Sequence, residues 1–316
     1  MTLGNKTALF GRQQPGGTVS IESMHITTGD RWWVSSTTTG AVDAADAGRS
    51  PDVPFATLDY AISQVTASVG DIIYVMPAHA EDVDGAAALN FDVAGIKVVG
   101  LGRGDLRPIF SLSAEASTVQ FDADDLWIEN LIFEGTFTNG TTVGLDIKTG
   151  CDDLMIKNCV IRGGAITTEL LVGVTIEATN NRITFDGCEF YEHAGDATVA
   201  VISEGAFTDL RFLRCTWIGT WATAILDLDH TAVTTQALYM EDCTMVSHGA
   251  ADGLMITLAD TTVAQFLRVS TFGNQSAVIP LAAADDGASL GIQCFGTDAF
   301  ETSGIVWPHD ATAWTT

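Results

Sequence analysis

The sequence predicts an all-β protein, a parallel β-helix with coils of about 28 residues. Three observations support this fold: a repeat of that length, an alternation of apolar and polar residues inside each copy, and the positions of the prolines. A single copy of such a repeat cannot bury its apolar face, whereas stacked copies bury one continuous core. We therefore expect one elongated solenoid.

Five segments carry the repeat most clearly. Their first residues lie 28, 29, 27 and 28 positions apart, at Leu126, Leu154, Ile183, Leu210 and Leu238. Apolar residues stand at positions 1, 3, 6 and 8 of each copy. Alternation at positions 1 and 3 is typical of a strand, and the three-residue step from 3 to 6 predicts a bend. A second alternating run precedes each copy, as at 143–148 and 172–177, so each coil should contain two or three short strands.

Position 6 of the repeat is held in succession by Leu131, Cys159, Cys188, Cys215 and Cys243. We expect these cysteines to stack inside the solenoid as small, unbridged apolar residues, since stacked parallel side chains do not have the orientation that a disulfide requires. Thiols of this kind suit assembly in a reducing cytoplasm. Cys151 and Cys294 lie outside this register and receive no role.

Weaker copies are expected at both ends of the repeat. One starts at Leu267 with Phe272 at position 6, and earlier coils start near Ile96 and Ile73. Proline is missing from 109–279, where the repeat is clearest, and a strand paired on both sides has no place for a residue without an N–H.

The sequence divides into four parts. We expect an N-terminal arm and lead-in over 1–50, a capping helix and first strand over 51–78, the β-helix over 79–290, and a C-terminal cap over 291–316. Apolar spacing in 54–67 predicts an amphipathic helix, with Pro54 in its first turn. A solenoid needs a polar-faced cap at its open end, and this helix is the expected cap.

The charge of the chain excludes several classes of partner. It has 40 Asp and Glu against 14 Lys and Arg, a net charge of −26, yet 47% of its residues are hydrophobic. Such an acidic protein is not expected to bind nucleic acid or an anionic membrane surface. We find no secretory signal, no membrane-spanning segment, no phosphate-binding loop and no zinc-ligand spacing. The sequence therefore contains no direct evidence of a reaction, and no cofactor or metal is expected.

One acidic pair is a candidate catalytic site. Asp227 and Asp229 alternate with Leu228 on a predicted strand, so both should face outward, roughly 6.5–7 Å apart. That separation suits the two carboxylates of a glycoside hydrolase. His230 follows directly, and Trp217 and Trp221 would offer a platform for sugar stacking. The alternative, a chance pair on a very acidic surface, is favoured.

Other acidic groups are weaker candidates. A calcium site would use carboxylates at equivalent bends of two coils, and a solvated acidic turn is the favoured alternative; the residues are Asp122, Asp124, Asp125, Asp152 and Asp153. His79 with Glu81 and His193 with Glu192 are isolated pairs in predicted turns, to which we assign no site. Lys and Arg are scarce, which disfavours a lyase acting on acidic sugars.

The segment from Asp52 to Pro77 resembles the start of known proteins. Its matching residues are Asp52, Pro54-Phe55-Ala56-Thr57-Leu58, Ala61-Ile62, Gly70-Asp71, Ile73, Val75 and Pro77. It is similar to the opening of right-handed parallel β-helices of the pectin-lyase-like class, which include tailspikes and virion surface proteins of tailed bacteriophages. The resemblance covers about residues 50–295. It implies a right-handed helix and a place on the surface of a virion assembled in the host cytoplasm.

Two classes of function follow from this resemblance. The first is a structural virion protein, most simply a capsid decoration or head-surface protein held by its N-terminal arm, because the chain is short for a tailspike. The second is a tailspike-type polysaccharide hydrolase or a carbohydrate-binding adhesin. We expect a homotrimer that contacts the major capsid protein or another virion protein, with a host surface glycan as a further partner. Aromatic residues near both chain ends are the candidate subunit or particle contacts: Trp32, Trp33, Trp307 and Trp314.

Overall fold

A computed structural model of the chain describes residues 27–193, 197–228, 236–248, 254–258, 262–273, 282–283, 288–292, 294–297 and 305–307. Within these residues the chain forms three sheets of ten, eight and ten strands. Each coil adds one strand to each sheet, and strands of successive coils pair in parallel. The protein is a parallel β-helix, as the sequence predicts.

The strands of each sheet follow one another along the helix axis. The first sheet contains β1 (Arg31–Val34), β2 (Ile72–Val75), β5 (Lys97–Gly100), β8 (Trp127–Glu129), β11 (Met155–Lys157), β14 (Ile183–Asp186), β17 (Leu210–Leu213), β20 (Gln236–Glu241), β23 (Thr262–Leu267) and β26 (Ala288–Ile292). The second contains β4 (Leu89–Phe91), β7 (Val119–Phe121), β10 (Thr141–Ile147), β13 (Leu170–Ile176), β16 (Val199–Ser203), β19 (Ala224–Leu228), β22 (Leu254–Leu258) and β25 (Ala282–Ala283).

The third sheet contains β3 (Ala80–Val83), β6 (Ile109–Leu112), β9 (Ile132–Gly135), β12 (Val160–Gly163), β15 (Glu189–Tyr191), β18 (Thr216–Gly219), β21 (Thr244–Ser247), β24 (Ser270–Gly273), β27 (Cys294–Thr297) and β28 (Ile305–Trp307). Among the described strands, β28 is the one that pairs antiparallel, against β27. Two short helices complete the chain, α1 (Leu58–Gln64) and a 3₁₀ turn at Gly104–Leu106. Neither helix in this described part is long and apolar enough to cross a membrane.

The register confirms the repeat read from the sequence. Position 3 of successive copies pairs from coil to coil, and its side chains form one buried column: Ile128, Ile156, Phe185, Phe212 and Met240. Aromatic rings stack in the same way, with Phe185 and Phe212 at 5.1 Å between centroids. Each fully buried side chain of this size contributes roughly 1.5–3 kcal/mol. This column runs along the helix axis through five successive coils of the core.

The bend between positions 3 and 6 is also present, and its geometry repeats. One residue at each of six successive bends between the first and third sheets adopts a left-handed conformation, with φ between 50° and 66°: Asn130, Asn158, Gly187, Arg214, Asp242 and Arg268. Asn tolerates this conformation because its side chain bonds locally. The Asn130 amide donates to the Gly100 carbonyl at 2.7 Å, which ties one bend to the coil before it.

The C-terminal register differs from the prediction. Leu238 pairs with Ala264, so the next copy starts at Ala264 and not at Leu267. Val269 therefore occupies position 6 and is buried, while Phe272 points outward and is 44% exposed. The predicted start is wrong because this coil is shorter than the coils directly before it. Leu267 is apolar and lies near the expected spacing, although it is not the first residue of the copy.

The cysteines occupy the interior, and no disulfide joins any of them. Each thiol of the predicted stack donates to a carbonyl of the preceding coil, for example Cys215 to Phe185 at 3.4 Å and Cys243 to Phe212 at 3.3 Å. Cys294 belongs to this register, contrary to our expectation, because it precedes Phe295, which pairs with Ser270, and its thiol donates to Phe266 at 3.5 Å.

The N-terminal end of the solenoid begins earlier than the division at residue 50 suggests. Strand β1 lies within the predicted lead-in and pairs with β2. Helix α1 covers this end as expected and buries Leu58, Ala61 and Ile62, but it is shorter than 54–67. The helix starts after Thr57, its N-cap, which has extended backbone, so Pro54 lies before the helix and not in its first turn. Asp43 accepts hydrogen bonds from the N–H groups of Ala56 and Thr57.

Candidate functional site

The predicted catalytic pair is only partly described. Asp227 lies on β19 in an outward row of the second sheet, and its Oδ1 accepts a hydrogen bond from Thr257 Oγ1 at 2.6 Å. Asp229 and His230 lie outside the described residues. Asp227 therefore bonds to the neighbouring coil, and its role in catalysis stays a prediction.

The sugar platform expected beside Asp227 is wrong. Trp217 is fully buried and Trp221 is 3% exposed. Trp217 stacks on Phe190 with 5.2 Å between ring centroids, inside the solenoid. The physical reason is the repeat itself, since Trp217 stands at position 8, where the other copies place apolar core residues.

The acidic bends are held together by hydrogen bonds within the chain. Asp124 accepts from the Asp152 N–H at 2.9 Å, and Asp152 accepts from both the N–H and the amide group of Asn181 at 2.9 Å. Arg182 binds Asp153 with two nitrogens, at 2.5 and 2.6 Å, and this hydrogen bond holds the pKa of Asp153 below its usual value. In the described ranges, no three His, Cys, Asp or Glu side chains form a group suited to a metal ion.

Other ion pairs likewise connect coils. Arg162 binds Glu134 at 3.0 Å, and Lys148 bridges Asp146 and Glu177. Half-exposed pairs of this kind contribute little stability individually. Most of these ion pairs join residues of neighbouring coils. The paired side chains do not point together into a cleft.

The outer face of the first sheet carries a group of aromatic and basic residues, which we call the aromatic face: Trp33, Tyr74, Lys97, Trp127 and Lys157. Trp33 and Tyr74 pair across β1 and β2 with 4.9 Å between their ring centroids. The ammonium groups of Lys97 and Lys157 lie 4.2 and 5.5 Å from the Trp127 ring, on the two flanking strands. The Trp127 ring is held by these cation–π contacts and by its indole N–H, which donates to Glu129 Oε2 at 3.0 Å.

Of the aromatic residues predicted as contacts, two lie on β1, where side chains alternate between the outside and the core. Trp33 faces outward and remains a candidate contact residue. Trp32 faces inward and is 5% exposed, so it covers the end of the core and offers almost no surface for a contact. It stacks on Phe55 at 5.5 Å and lies under the Arg49 guanidinium at 3.6 Å. The side chain of Trp307 and all of Trp314 lie outside the described residues.

Glu192, which the sequence groups with His193 in a predicted turn, instead forms a buried pair of carboxyl groups with Glu169. Glu169 and Glu192 are 3% and 6% exposed, at the corner between the third and second sheets. Glu169 accepts from the Ala197 N–H at 3.0 Å, and Glu192 accepts from the Leu170 N–H at 3.2 Å. Burial, reinforced by the Glu169 charge, raises the pKa of Glu192 to about 8. Glu192 is therefore largely protonated at neutral pH.

A signal for this pair was present in the repeat. Register places Glu192 in a column of small residues, between Gly163 and Gly219, with Gly135 and Ser247 beyond them. A Cβ atom at Gly163 would lie 2.5 Å from Glu192 Oε2, so the glycine leaves the space that the carboxyl fills. One large acid in a small-residue column marks a buried polar group.

His79 and Glu81, to which the sequence assigns no site, join two parts of the fold. His79 is 1% exposed, and its Nδ1 accepts from the Ser36 N–H at 2.9 Å. The proton must therefore stand on Nε2, which donates to Glu81 at 2.9 Å. Glu81 also accepts from the Leu58 N–H at 2.8 Å, at the start of α1. The pair thus joins the first coil to the capping helix.

Solved structures with a similar fold include pectin methylesterases and a rhamnogalacturonan lyase. A deglycosylated pectin methylesterase from Aspergillus niger is 17% identical, with a TM-score of 0.50 over 89% of this chain and 95% of that one. A pectin methylesterase variant in complex with a hexasaccharide is 11% identical, with a TM-score of 0.52 over 89% and 94%. A rhamnogalacturonan lyase is 12% identical, with a TM-score of 0.49 over 84% and 87%.

No family model and no curated protein sequence matches this chain at a significant level. At these identities the structural likeness shows the fold alone. The chain therefore shares the parallel β-helix of the pectin-lyase-like class.

Proposed function

We propose that the chain is a structural protein of a tailed-phage virion, exposed on the capsid head and held there by its N-terminal arm. The observation that carries the proposal is that acidic residues of the chain bond to neighbouring coils. Asp124, Asp152, Asp153 and Glu134 each bond to a neighbouring coil, so these acids brace a shaft instead of lining a cleft. A rigid body with a strongly acidic coat suits a particle that must stay dispersed.

The resemblance of the segment from Asp52 to Pro77 supports the same proposal. Several of its residues build the first coil: Phe55 is fully buried, and Thr57 caps α1 by accepting from the Tyr60 N–H. Asp71 accepts from the N–H groups of Asp30 and Thr66, at 2.5 and 2.8 Å. The segment therefore makes the closed start that a β-helix needs at its open end.

Fractionation of purified particles tests the location. We expect the chain to travel with heads, at a copy number comparable to that of the major capsid protein, when heads and tails are separated and quantified by mass spectrometry. Removal of residues 1–26 should release it from the head, because that arm is the proposed anchor. Recovery with tails at a few copies per particle, or absence from particles, would contradict the proposal.

A second function, carbohydrate binding, is favoured by the aromatic face. Trp33, Tyr74 and Trp127 expose parts of their rings on one face, and the nearby Lys97 and Lys157 lower the local negative charge. Aromatic rings provide apolar surface with a fixed orientation, which suits the faces of sugar rings. Hydrolysis has less support, because the tryptophans expected beside Asp227 are buried.

Tryptophan fluorescence with host surface polysaccharide tests this second function. We expect a saturable change that Trp127→Ala removes and Tyr239→Ala, further along the same sheet, retains. Product sizing in the same samples measures hydrolysis. An unchanged signal in Trp127→Ala would exclude the aromatic face as the binding site.

A further inference from the structure

The outer face of the third sheet carries an exposed apolar stripe. Tyr191, Ile218, Val246 and Phe272 are direct partners on four successive strands, β15, β18, β21 and β24. Tyr191 is 41% exposed, Ile218 36% and Phe272 44%. Their in-register pairing makes a continuous row along the helix axis, which isolated surface residues would not form.

The row beside the apolar stripe is almost free of charge. It contains Glu189, Thr216, Thr244 and Ser270, so one acid stands among eight outward positions of these four strands. The same coils carry more charge on the first sheet, where Asp186, Arg211 and Glu241 occupy outward positions.

The N-terminal half of the third sheet is also charged on its outer face, with Asp82, Glu134 and Arg162 in the positions that continue the stripe. The change from charged to apolar occurs between β12 and β15, at a single step of the register. A nearly uncharged region of this extent is unusual on a chain with a net charge of −26.

We propose that the apolar stripe is the face through which copies of this chain associate side by side, with the stripe of each copy facing the symmetry axis. Two bodies of such like charge repel one another, so identical copies can approach at the lowest cost where they carry almost no charge. Closed symmetric oligomers bring the same patch of each copy together, and a repeating row can pack against its own copies. The stripe would form the apolar centre and the charged surroundings a solvated rim.

This inference does not rest on the virion role or on carbohydrate binding. The apolar stripe would be the surface that the copies of the expected homotrimer share. A glycan or another virion protein is a different occupant of the same stripe, and either would leave the free chain monomeric.

Sedimentation equilibrium of the full chain tests the proposal. At micromolar concentration we expect the mass of the wild type to be at least twice the 33.4 kDa of one chain, and an integral multiple of it. Ile218→Glu places one carboxylate per copy at the symmetry axis, and we expect at least a tenfold weaker association. Phe272→Ser is a second, milder variant that should weaken association without adding charge.

Thr184→Glu is the matched control, since Thr184 is an outward, partly exposed residue on the first sheet. It adds the same charge and should leave the oligomer unchanged. Far-ultraviolet circular dichroism of each variant verifies that the β-helix remains folded. A monomeric wild type, or an Ile218→Glu variant that associates as tightly as Thr184→Glu, would overturn the proposal.

Discussion

The buried carboxyl of Glu192 makes the stability of the β-helix depend on pH. Burial raises its pKa to about 8, and the charge of Glu169 adds to the rise. The unfolded chain, in contrast, releases this proton near the ordinary value of about 4.3. Replacement of Glu192 by Gln keeps the shape and the acceptor for the Leu170 N–H but removes the titration.

The sign and size of the effect follow from proton linkage. Between about pH 4.3 and pH 8 the folded chain holds a proton that the unfolded chain has lost, so the free energy of unfolding falls as the pH rises. The loss is about 1.4 kcal/mol per pH unit, or on the order of 5 kcal/mol across the window. The contribution is fully present below about pH 4 and is lost by the time the pH passes the folded pKa of about 8.

Glu192→Gln should remove this dependence. At pH 7 the variant avoids a cost of roughly 3–4 kcal/mol, from which the imperfect hydrogen bonds of a buried amide subtract about 1–3 kcal/mol. We therefore expect Glu192→Gln to be more stable than the wild type by up to about 3 kcal/mol at pH 7, and to lose this advantage as the pH falls toward 5.

Urea unfolding midpoints measured from pH 4.5 to pH 8.5 provide the test. Glu189→Gln is the control, because Glu189 is an exposed residue on the same strand, β15. Its curve should run parallel to that of the wild type, whereas the Glu192→Gln curve should be flatter. Parallel curves for Glu192→Gln and the wild type would refute the reasoning, since they would show that Glu192 ionises normally in the folded chain.

Three further predictions concern the core. Gly163→Ala should destabilise the chain by about 1–3 kcal/mol in urea unfolding, because the new Cβ would lie 2.5 Å from Glu192 Oε2 and 3.0 Å from the Glu169 Cα. Trp217→Ala should lower stability by about 3–5 kcal/mol, which thermal unfolding would report as a lower midpoint. The cysteines should not react with Ellman's reagent until the chain unfolds, because all six are buried and burial raises the pKa of the Cys151 thiol to about 12. A cysteine that reacts rapidly in the native chain would contradict this burial.

The coil register was predictable because the same physical demand recurs in every coil. Positions 3 and 6 face one core, so apolar residues recur there, and the bend between them recurs as a three-residue step. Where a coil changes length, these positions still face the core, but a count of 28 residues no longer identifies them. For this reason the spacing predicts Phe272 at position 6 and leaves Cys294 out of the register, whereas position 6 of these two coils holds Val269 and Cys294.

The candidate site was less predictable because chemistry and packing compete for the same residue types. Trp217 and Trp221 suggested a sugar platform by their type, yet the repeat assigned Trp217 to the core. Trp33 and Tyr74 meet across strands separated by the whole capping segment, so their contact has no local pattern in the sequence. The position of a residue within the repeat predicts its burial better than its residue type does.

The acidic excess acquires a more specific meaning from the contacts between coils. Parallel coils present N–H groups of each bend to the bend before, and an acidic or amide oxygen at the same position accepts them, as Asp124 does for Asp152 and Asp152 for Asn181. Acids placed by this rule need not converge on a substrate. Glu169 and Glu192 accept N–H groups in the same way, from Ala197 and Leu170, but they do so inside the wall, where burial raises the pKa of Glu192. Most of the acids in these contacts thus strengthen the stack at its surface, whereas the buried Glu192 should make its stability depend on pH.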